Sequence, residues 1–354
     1  MARTPERLAP EFRVRIDGSD LPVKAAMEVL EVSALQDVDA PGMFALRLAN
    51  WDSDQMRITW ADDDLFGTGR EVEILMGYAG DLHPVLVGEI TGIEPEFRAG
   101  EIPEVVVRGY DRRHRLMRGR KTRSYTKVKD SEVAGQIAGE AGLTDRAEDS
   151  RVVHEYLLQH NQTDLEFLQE RARRIGYEVM VEGKDLHFRP RAYGSGEALT
   201  LARTVDLEEL HPRLTSLGIA PEVAVHGWNV KDKEALVGKA AAGDEGSRMG
   251  GSSSGPAAVE SAFGTAVAAL VDHPVLSQAE ADQIAEGQLR EMALAYIGGE
   301  GVALGRADLK AGTVIKIDGV GKRFSGLYYI PSVCHSYSPR RGYRTAFTFR
   351  RNAT

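Results

Sequence analysis

Two short segments of this chain, residues 105–111 and 223–229, follow the same pattern although they lie far apart. Each has three apolar residues, one basic residue, and then glycine, an aromatic residue and Asp or Asn. A strand that ends in this way twice indicates that one β unit is used twice. Internal repeats constrain the architecture more than other sequence signals, so we predict two copies of one β-rich unit.

A second pair of segments supports this prediction. Residues 85–93 resemble residues 324–333, and each carries a glycine within an apolar, strand-like run. Glycine at such a position is typical of a β-bulge or of close approach by another backbone. Each segment follows an alternating strand, at residues 71–76 and 313–317. The first and third regions of the chain are therefore predicted to form the same type of barrel.

Helical periodicity separates and interrupts these β-rich regions. Thr163 and Glu166 form a capping box ahead of an apolar stripe, and Ser277 with Glu280 forms another. Residues 243–255 are rich in Gly and Ser, which predicts a mobile loop. The helices are too few for a doubly wound sheet, so they are interpreted as inserts.

These patterns predict a mainly β fold class with an α+β insert. The expected parts are two similar tube-like β barrels, a small α/β domain and a helical insertion. The predicted boundaries are 1–118 for the first barrel, 119–195 for the α/β insert domain, 196–230 with 299–354 for the second barrel, and 231–298 for a flexible Gly/Ser loop and helical insertion.

Charge and cysteine content exclude some classes of protein. A net charge of −9 over 354 residues argues against a chain that binds DNA over its whole surface. The single cysteine, Cys334, excludes an intrachain disulfide framework and fits a reducing compartment. The sequence shows no secretory signal and no apolar run long enough to span a bilayer. We expect synthesis in a cytoplasm and no membrane span.

One stretch is strongly basic within this acidic chain. Between residues 108 and 129 only Asp111 opposes ten Lys and Arg residues. Such asymmetry indicates an acidic partner surface, with nucleic acid as the alternative, although only Tyr110 and Tyr125 are available there for base stacking. The candidate partner contacts are Arg112, Arg113, Arg115, Arg118, Arg120, Lys121 and Arg123.

The sequence presents no catalytic, cofactor-binding or metal-binding set. The best-looking reactive cluster is His154, Glu155, His160 and Asp164, but its spacing is not that of a zinc-protease helix, and no third ligand follows. Surface side chains before a capped helix explain it as well. We expect no enzyme activity and no cofactor.

Residues 108–116 resemble the Arg-Gly-Tyr-Asp-Arg-x-His-x-Leu signature of the phage late control D, or tail hub, family. Residues 161–168 resemble that family's Asn-x-Ser/Thr-Asp-x-Glu-Phe-Leu segment. The end of the chain also resembles that family, at residues 328–333, 342–345 and 350–352. The resemblance spans nearly the whole chain and extends to the front part of type VI secretion spikes.

The resemblance implies a baseplate hub of a contractile tail or contractile injection system, built into such a particle after synthesis in the bacterial cytoplasm. Three chains with two barrels each would offer pseudo-sixfold symmetry to the ring of the inner tube protein. A separate trimeric spike or tip protein and baseplate wedge proteins would be the other partners. The alternatives are a hub or tip protein with cell-wall hydrolase activity and a nucleic-acid-binding module. The motif residues expected to be structural are Arg108, Gly109, Tyr110 and Asp111, with Gly227, Trp228 and Asn229.

Overall fold

The computed structural model describes residues 9–271 and 274–354. Residues 1–8 of the predicted first domain and 272–273 of the predicted insertion lie outside the described residues. The predicted fold class, mainly β with an α+β insert, is confirmed, because strands dominate the regular structure. No helix in the described part is long and apolar enough to cross a membrane.

The first third of the chain forms one half of a large sheet. Its elements are Pro10–Ile16 (β1), Ser19–Asp20 (β2), Val23–Met27 (α1), Val29–Asp37 (β3), Met43–Ala49 (β4), Trp51–Asp52 (β5), Arg57–Ile58 (β6), Glu71–Tyr78 (β7), Asp81–Glu96 (β8) and Glu104–Tyr110 (β9), with 3-10 helices at Trp60–Asp62 and Asp64–Phe66. We call β1, β3, β4, β7, β8 and β9 the first half-sheet. Alternation along β4 places Phe44, Leu46 and Leu48 in its core.

Residues 112–199 form the first insert. Its elements are a 3-10 helix at Arg112–Met117, Lys121–Lys129 (β10), Asp130–Glu140 (α2), Thr144–Asp145 (β11), Val153–Gln162 (β12), Asp164–Arg174 (α3), Tyr177–Glu182 (β13) and Asp185–Pro190 (β14). The predicted capping box of α3 is confirmed, because Glu166 N donates to Thr163 Oγ1 at 3.1 Å and Thr163 N donates to Glu166 Oε2 at 2.9 Å. The insert has an apolar core of its own.

The chain then returns to the large sheet with Thr200–Ala202 (β15) and Leu207–Leu214 (β16). Residues 215–296 form the second insert, which contains Glu222–Asn229 (β17), Glu234–Ala241 (β18), Gly255–Phe263 (α4), Val267–Leu270 (β19) and Gln278–Leu294 (α5). The sheet is completed by Ile297–Leu304 (β20), Thr313–Asp318 (β21), Gly326–Ser338 (β22) and Gly342–Arg351 (β23). We call β15, β16 and β20 to β23 the second half-sheet.

The two half-sheets have the same ladder. Numbered in chain order within each half, the six strands are neighbours in the order second, third, sixth, fifth, fourth and first. The predicted match of residues 71–76 with 313–317 is confirmed, since these are the fourth strands, β7 and β21. The match of residues 85–93 with 324–333 is confirmed as well, because β8 and β22 are the fifth strands. Only the pairing of the first strand differs, since β1 is antiparallel to β7 whereas β15 is parallel to β21.

The first segment match, however, is wrong. Residues 105–110 lie in β9, between β4 and β8, whereas residues 223–229 lie in β17, which pairs with β18 and β19 in a separate three-stranded sheet. That small sheet packs on α5 through Val223 and Val225. The predicted boundary at residue 230 places residues 222–229 in the second barrel. In the structure they belong to the second insert and not to the second half-sheet. The strand equivalent to β9 is β23.

The Gly/Ser tract at residues 243–255 is packed against the end of the chain, which differs from the predicted mobile loop. Ser252 N donates to the carbonyl oxygen of Thr354 at 2.7 Å, and Gly255 N donates to that of Asn352, also at 2.7 Å. Met249 is fully buried. The tract also starts α4, which the sequence analysis missed, with Ser254 as its N-cap.

Candidate functional site

The two half-sheets meet inside the chain along one antiparallel ladder. β3 pairs with β22 from Val32, opposite Tyr337, to Asp37, opposite Ser332. Gln36 braces this junction, because its Nε2 donates to Val85 O at 2.6 Å and its Oε1 accepts from Ala311 N at 3.0 Å. The second strand of one half is thus joined to the fifth strand of the other.

The second strand of the second half-sheet and the fifth strand of the first half-sheet correspond to β3 and β22. In the part of the chain that the structure describes, each of them has a free edge. β16, the second strand of the second half-sheet, pairs only with β20. β8, the fifth strand of the first half-sheet, pairs only with β9 over residues 91–96. Unpaired N–H and C=O groups along such edges are a template for another strand. Each edge includes one proline, Pro95 or Pro212, which shortens any ladder by one donor.

Gly109 marks a close approach of three strands in the first half-sheet. A Cβ at this position would overlap the carbonyl oxygen of Glu89 and the ring of Phe44. Asp111 then ties the end of β9 to the start of β4, since its Oδ2 accepts from Gly42 N at 2.6 Å. Arg108 is more exposed and pairs with Glu94 at 2.8 Å. Tyr110 lies opposite Met43 in the same ladder, and the structural role expected of Arg108 and Tyr110 stays a prediction.

The second predicted motif has a different setting. Gly227 faces the segment that precedes α5, where a Cβ would lie 2.9 Å from Val275 Cβ. Trp228 is 55% exposed on the opposite face of the small sheet. Asn229 organises the following turn, because its Oδ1 accepts from the backbone N–H groups of Lys231 and Asp232. Their setting is not equivalent to that of Gly109, and their structural role stays a prediction.

The basic run is mostly neutralised within the chain. Arg112 and Arg113 are buried, so their predicted role as partner contacts is wrong. Arg113 Nη2 lies 2.7 Å from Asp111 Oδ2, and Arg112 pairs with Glu71 and Glu89. Arg115 also pairs with Glu89. Glu71 and Glu89 come from strands β7 and β8, which are remote in sequence from these arginines.

The later members of the run pair across the first insert. Arg120 meets Glu166, while Lys121 and Arg123 share Glu140 and Asp164. In the described residues, Arg118 is the member of the set without a side-chain ion pair. Contact of Arg115, Arg118, Arg120, Lys121 and Arg123 with a partner stays a prediction.

Glu89 is the centre of the buried charges and was missed by the sequence analysis. Its burial alone would raise its pKa, but hydrogen bonds from Arg115, His114 and Arg112 lower the pKa to about 2. The carboxylate therefore stays ionised and fixes the 3-10 helix at Arg112–Met117 against β8. This helix connects the first half-sheet with the first insert.

The cluster of His154, Glu155, His160 and Asp164 is dispersed, and the interpretation of its histidines as surface side chains is wrong for His154. His154 is buried and lies 3.1 Å from Asp130 Oδ2 and 3.4 Å from Glu280 Oε1. Burial opposes its ionisation, but hydrogen bonds to these carboxylates raise its pKa above the ordinary value. Asp164 binds Lys121 and Arg123 instead. Within the described ranges, no group of three or more His, Cys, Asp or Glu is arranged to hold a metal ion.

The comparison with family models identifies the chain at the level of a family. A model described as the Alg8 N-terminal domain matches residues 7–338. The chain belongs to this family. The match does not identify the late control D family, and membership of that family stays a prediction. No curated protein matches the chain.

Solved structures with the same fold are tail proteins and a secretion component. The 43 kDa tail protein of prophage MuSo2 from Shewanella oneidensis has a TM-score of 0.70 and 12% identity, over 97% of this chain and 98% of that chain. The tail protein from Neisseria meningitidis MC58 has a TM-score of 0.70 and 12% identity, over 97% and 96%. A type VI secretion component of E. coli has a TM-score of 0.60 and 14% identity, over 96% and 77%. At these identities the similarity shows a shared fold, and the predicted resemblance is confirmed at the level of a fold shared with phage tail proteins and a type VI secretion component.

Proposed function

We propose that this protein is a non-enzymatic structural hub of a contractile tail or injection baseplate, in which three copies form a ring of six equivalent half-sheets. The ring would join a hexameric inner tube to a trimeric spike, with wedge proteins around it. The fold shared with phage tail proteins and a type VI secretion component supports a place in such a particle.

The observation that carries this proposal is the junction of β3 with β22. It joins the second strand of one half to the fifth strand of the other within a chain. The same junction, repeated between chains, would join the free edge of β16 to residues 91–96 of β8 in the next copy. A head-to-tail contact of this kind gives a closed ring when its rotation closes. Six junctions would then alternate between those within chains and those between chains.

The backbone of β16 indicates which groups would pair. Thr215 N donates to the carbonyl oxygen of Tyr296, next to β20, at 3.0 Å. Because the N–H groups of successive strand residues point to opposite sides, those of Leu210 and Leu214 point away from β20. They are free to donate to another strand. Pro212 lies between them, where its missing N–H costs no bond to β20.

Native mass spectrometry of the purified chain tests the ring. We expect a particle of three times the 38.7 kDa chain mass. Leu210→Pro removes one outward donor together with the apolar side chain, and should shift the mass to a single chain. Leu210→Ala removes the side chain but keeps the donor, so it should stay trimeric. A monomeric, folded wild-type protein, or an unchanged trimer for Leu210→Pro, would contradict the proposal.

The two alternatives have less support. A nucleic-acid-binding module would need free cations, whereas most of the basic run is paired with carboxylates of the same chain. A cell-wall hydrolase would need a carboxylate pair or a metal site. Clearing of a peptidoglycan zymogram by the purified protein would establish the hydrolase in place of the structural hub.

A further inference from the structure

The two half-sheets send equivalent hairpins out of the same end of the sheet. The ladders from β22 through β3, β4 and β9 to β8 are all antiparallel. β22 and β8 therefore run in the same direction, and each turns into its sixth strand at the same end. We call this end the hairpin end. Its tips are residues 97–103 in the first half and 339–341 in the second.

At the opposite end, the connections between the second and third strands do not keep this equivalence. There the β3–β4 turn is covered by the first insert, because Arg191 Nη2 lies 2.8 Å from Asp39 Oδ1 and Gln169 Nε2 donates to Asp39 O at 2.9 Å. The corresponding connection in the second half, between β16 and β20, is the whole second insert, residues 215–296. A sixfold partner needs six like positions, and a ring of these chains would offer six hairpins between fifth and sixth strands at the hairpin end. The hairpins between fourth and fifth strands lie at the opposite end, but there the two halves differ in the connection between their second and third strands.

The two tips nevertheless differ in chemistry. Phe97 is 65% and Ile102 66% exposed on the first tip, where Arg98 is neutralised by Glu96 and Glu101. The second tip is Pro339-Arg340-Arg341, which is exposed. For neither arginine does the described part of the chain supply an ion pair. One tip is thus apolar and the other cationic, although both connect equivalent strands.

The apolar surface around the first tip is larger than the tip itself. Asn50 N donates to the carbonyl oxygen of Pro103 at 2.8 Å, and Ala49 N donates to that of Glu28 at 2.9 Å. These bonds hold α1 beside the β8–β9 hairpin. Val23 and Met27 of α1 are 77% and 81% exposed. Exposed apolar side chains that gather at one end are typical of an interaction site.

We propose that the hairpin end binds the hexameric tube ring, and that each identical tube subunit presents both an apolar site and an acidic site on the face that meets it. Alternate subunits would use the apolar site for Phe97 and Ile102, and the acidic site for Arg340 and Arg341. This inference rests on the proposed function, because only a ring of three chains brings six hairpins together. It adds which end of the hub meets the tube, and by what chemistry.

Binding of the wild-type trimer to the purified tube protein of the same particle tests this assignment, with the purified spike protein as the second probe. The variant Phe97→Asp with Ile102→Asp should lower affinity for the tube ring by at least about tenfold at every salt concentration, because it removes apolar contact. The variant Arg340→Glu with Arg341→Glu should weaken binding most at low salt, since exposed charge pairs are screened at ionic strengths near about 1 M. The matched control is Leu217→Asp, which alters a side chain that is 83% exposed on the second insert. It should bind normally.

Each outcome decides between assignments. Loss of spike binding with intact tube binding would assign the hairpin end to the threefold partner and overturn the inference. Unchanged binding of both probes, or an equal loss for Leu217→Asp, would overturn it as well. All samples are first required to have the trimeric mass. A wild-type chain that is monomeric would refute the proposed ring itself, so the two failures are distinguishable.

Discussion

The first and second half-sheets share a ladder but differ in what interrupts it. In the first, the second and third strands are joined by a turn at residues 38–42, whereas in the second the same connection contains residues 215–296. Strand neighbours are kept because each strand needs hydrogen bonds on its buried edges. Connections at a sheet end tolerate insertion, since loop closure costs little more for a long loop than for a short one. The ladder is therefore the part of the repeat that persists.

In both half-sheets, phenylalanine on one strand packs against glycine on its neighbour, but the strands that carry the two residue types are exchanged. Phe44 of the third strand lies opposite Gly109 of the sixth strand in the first half-sheet. In the second, Gly299 and Gly301 are on the third strand, opposite Phe349 and Phe347 on the sixth. In both halves a phenylalanine ring covers a glycine on the neighbouring strand. The same space is filled, although the residue types have changed places.

Valine at these glycines is the largest expected effect. A Cβ at Gly109 would overlap Glu89 O, and one at Gly299 would overlap His211 O. We expect Gly109→Val and Gly299→Val each to lower the free energy of unfolding by more than about 4 kcal/mol, or to prevent folding, because backbone cannot move aside as a side chain does. Gly196→Val is the control, since nothing lies within 4 Å of its Cβ position and it is outside the proposed junctions between strands. Urea unfolding measures all three, and tolerance at Gly299 alone would break the equivalence of the halves.

This exchange explains how far the sequence could predict the fold. The matches of β7 with β21 and of β8 with β22 are visible in the sequence because the fourth strands keep an alternating apolar pattern and the fifth strands each contain a glycine. The Gly-aromatic-Asx match failed, because β23 has no glycine in the place of Gly109. Which strand carries the glycine is settled only by pairing, and pairing is not visible in a single sequence.

The candidate site shows the same limit in its charges. The basic run predicts a partner surface because Asp111 is the only acidic residue within the run. Its counter-charges, such as Glu89 and Asp164, come from other strands and helices once the chain folds. Local signals were sufficient where the interaction is local, as in the capping box of Thr163 and Glu166. They were insufficient wherever a partner is remote in sequence.

Two buried arginines at the ends of the sixth strands provide an intermediate effect. Arg113, after β9, pairs with Asp111, whereas Arg351, in β23, donates to Ser325 O at 2.9 Å. Arg113→Met would leave the Asp111 carboxylate buried without its counter-charge and should cost about 3–5 kcal/mol. Arg351→Met would leave only a carbonyl unpaired and should cost about 1–3 kcal/mol.

Thermal and urea unfolding of both variants measure this difference. The double variant Arg113→Met with Asp111→Asn should be more stable than Arg113→Met alone, because no uncompensated charge remains. Equal costs for the two single variants would show that the charge of Asp111 is not what distinguishes the two strand ends.

The smallest expected effect concerns the carboxylates that tie the first insert to each half-sheet. On the first half-sheet, Glu89 of β8 holds Arg112 and Arg115, and its pKa is lowered to about 2. On the second, Tyr329 of β22 donates to Glu178 of the insert, and Arg189 Nε lies 2.9 Å from Glu178 Oε1. Burial raises the pKa of Glu178 above its usual value despite these partners. The two carboxyl groups therefore depend on pH in opposite directions.

A lowered pKa means that Glu89 stabilises the fold above the unfolded value, near about 4.3, and that this stabilisation is lost as the pH falls towards 2. Glu89→Gln should cost about 2–3 kcal/mol at pH 7, and this difference should shrink as the medium is acidified. A raised pKa means that Glu178 contributes less to stability as the pH rises above the unfolded value, near about 4.3, so Glu178→Gln should be neutral within about 1 kcal/mol or slightly stabilising at pH 7. The difference in free energy of unfolding between Glu178→Gln and the wild type should also shrink on acidification, but its sign is opposite to that for Glu89→Gln. Urea unfolding of the wild type and the two variants between pH 7 and about pH 3 measures how each free energy of unfolding depends on pH. The opposite roles of the two carboxyl groups would be contradicted if Glu178→Gln were destabilising at pH 7 and the effect of Glu89→Gln did not change with pH.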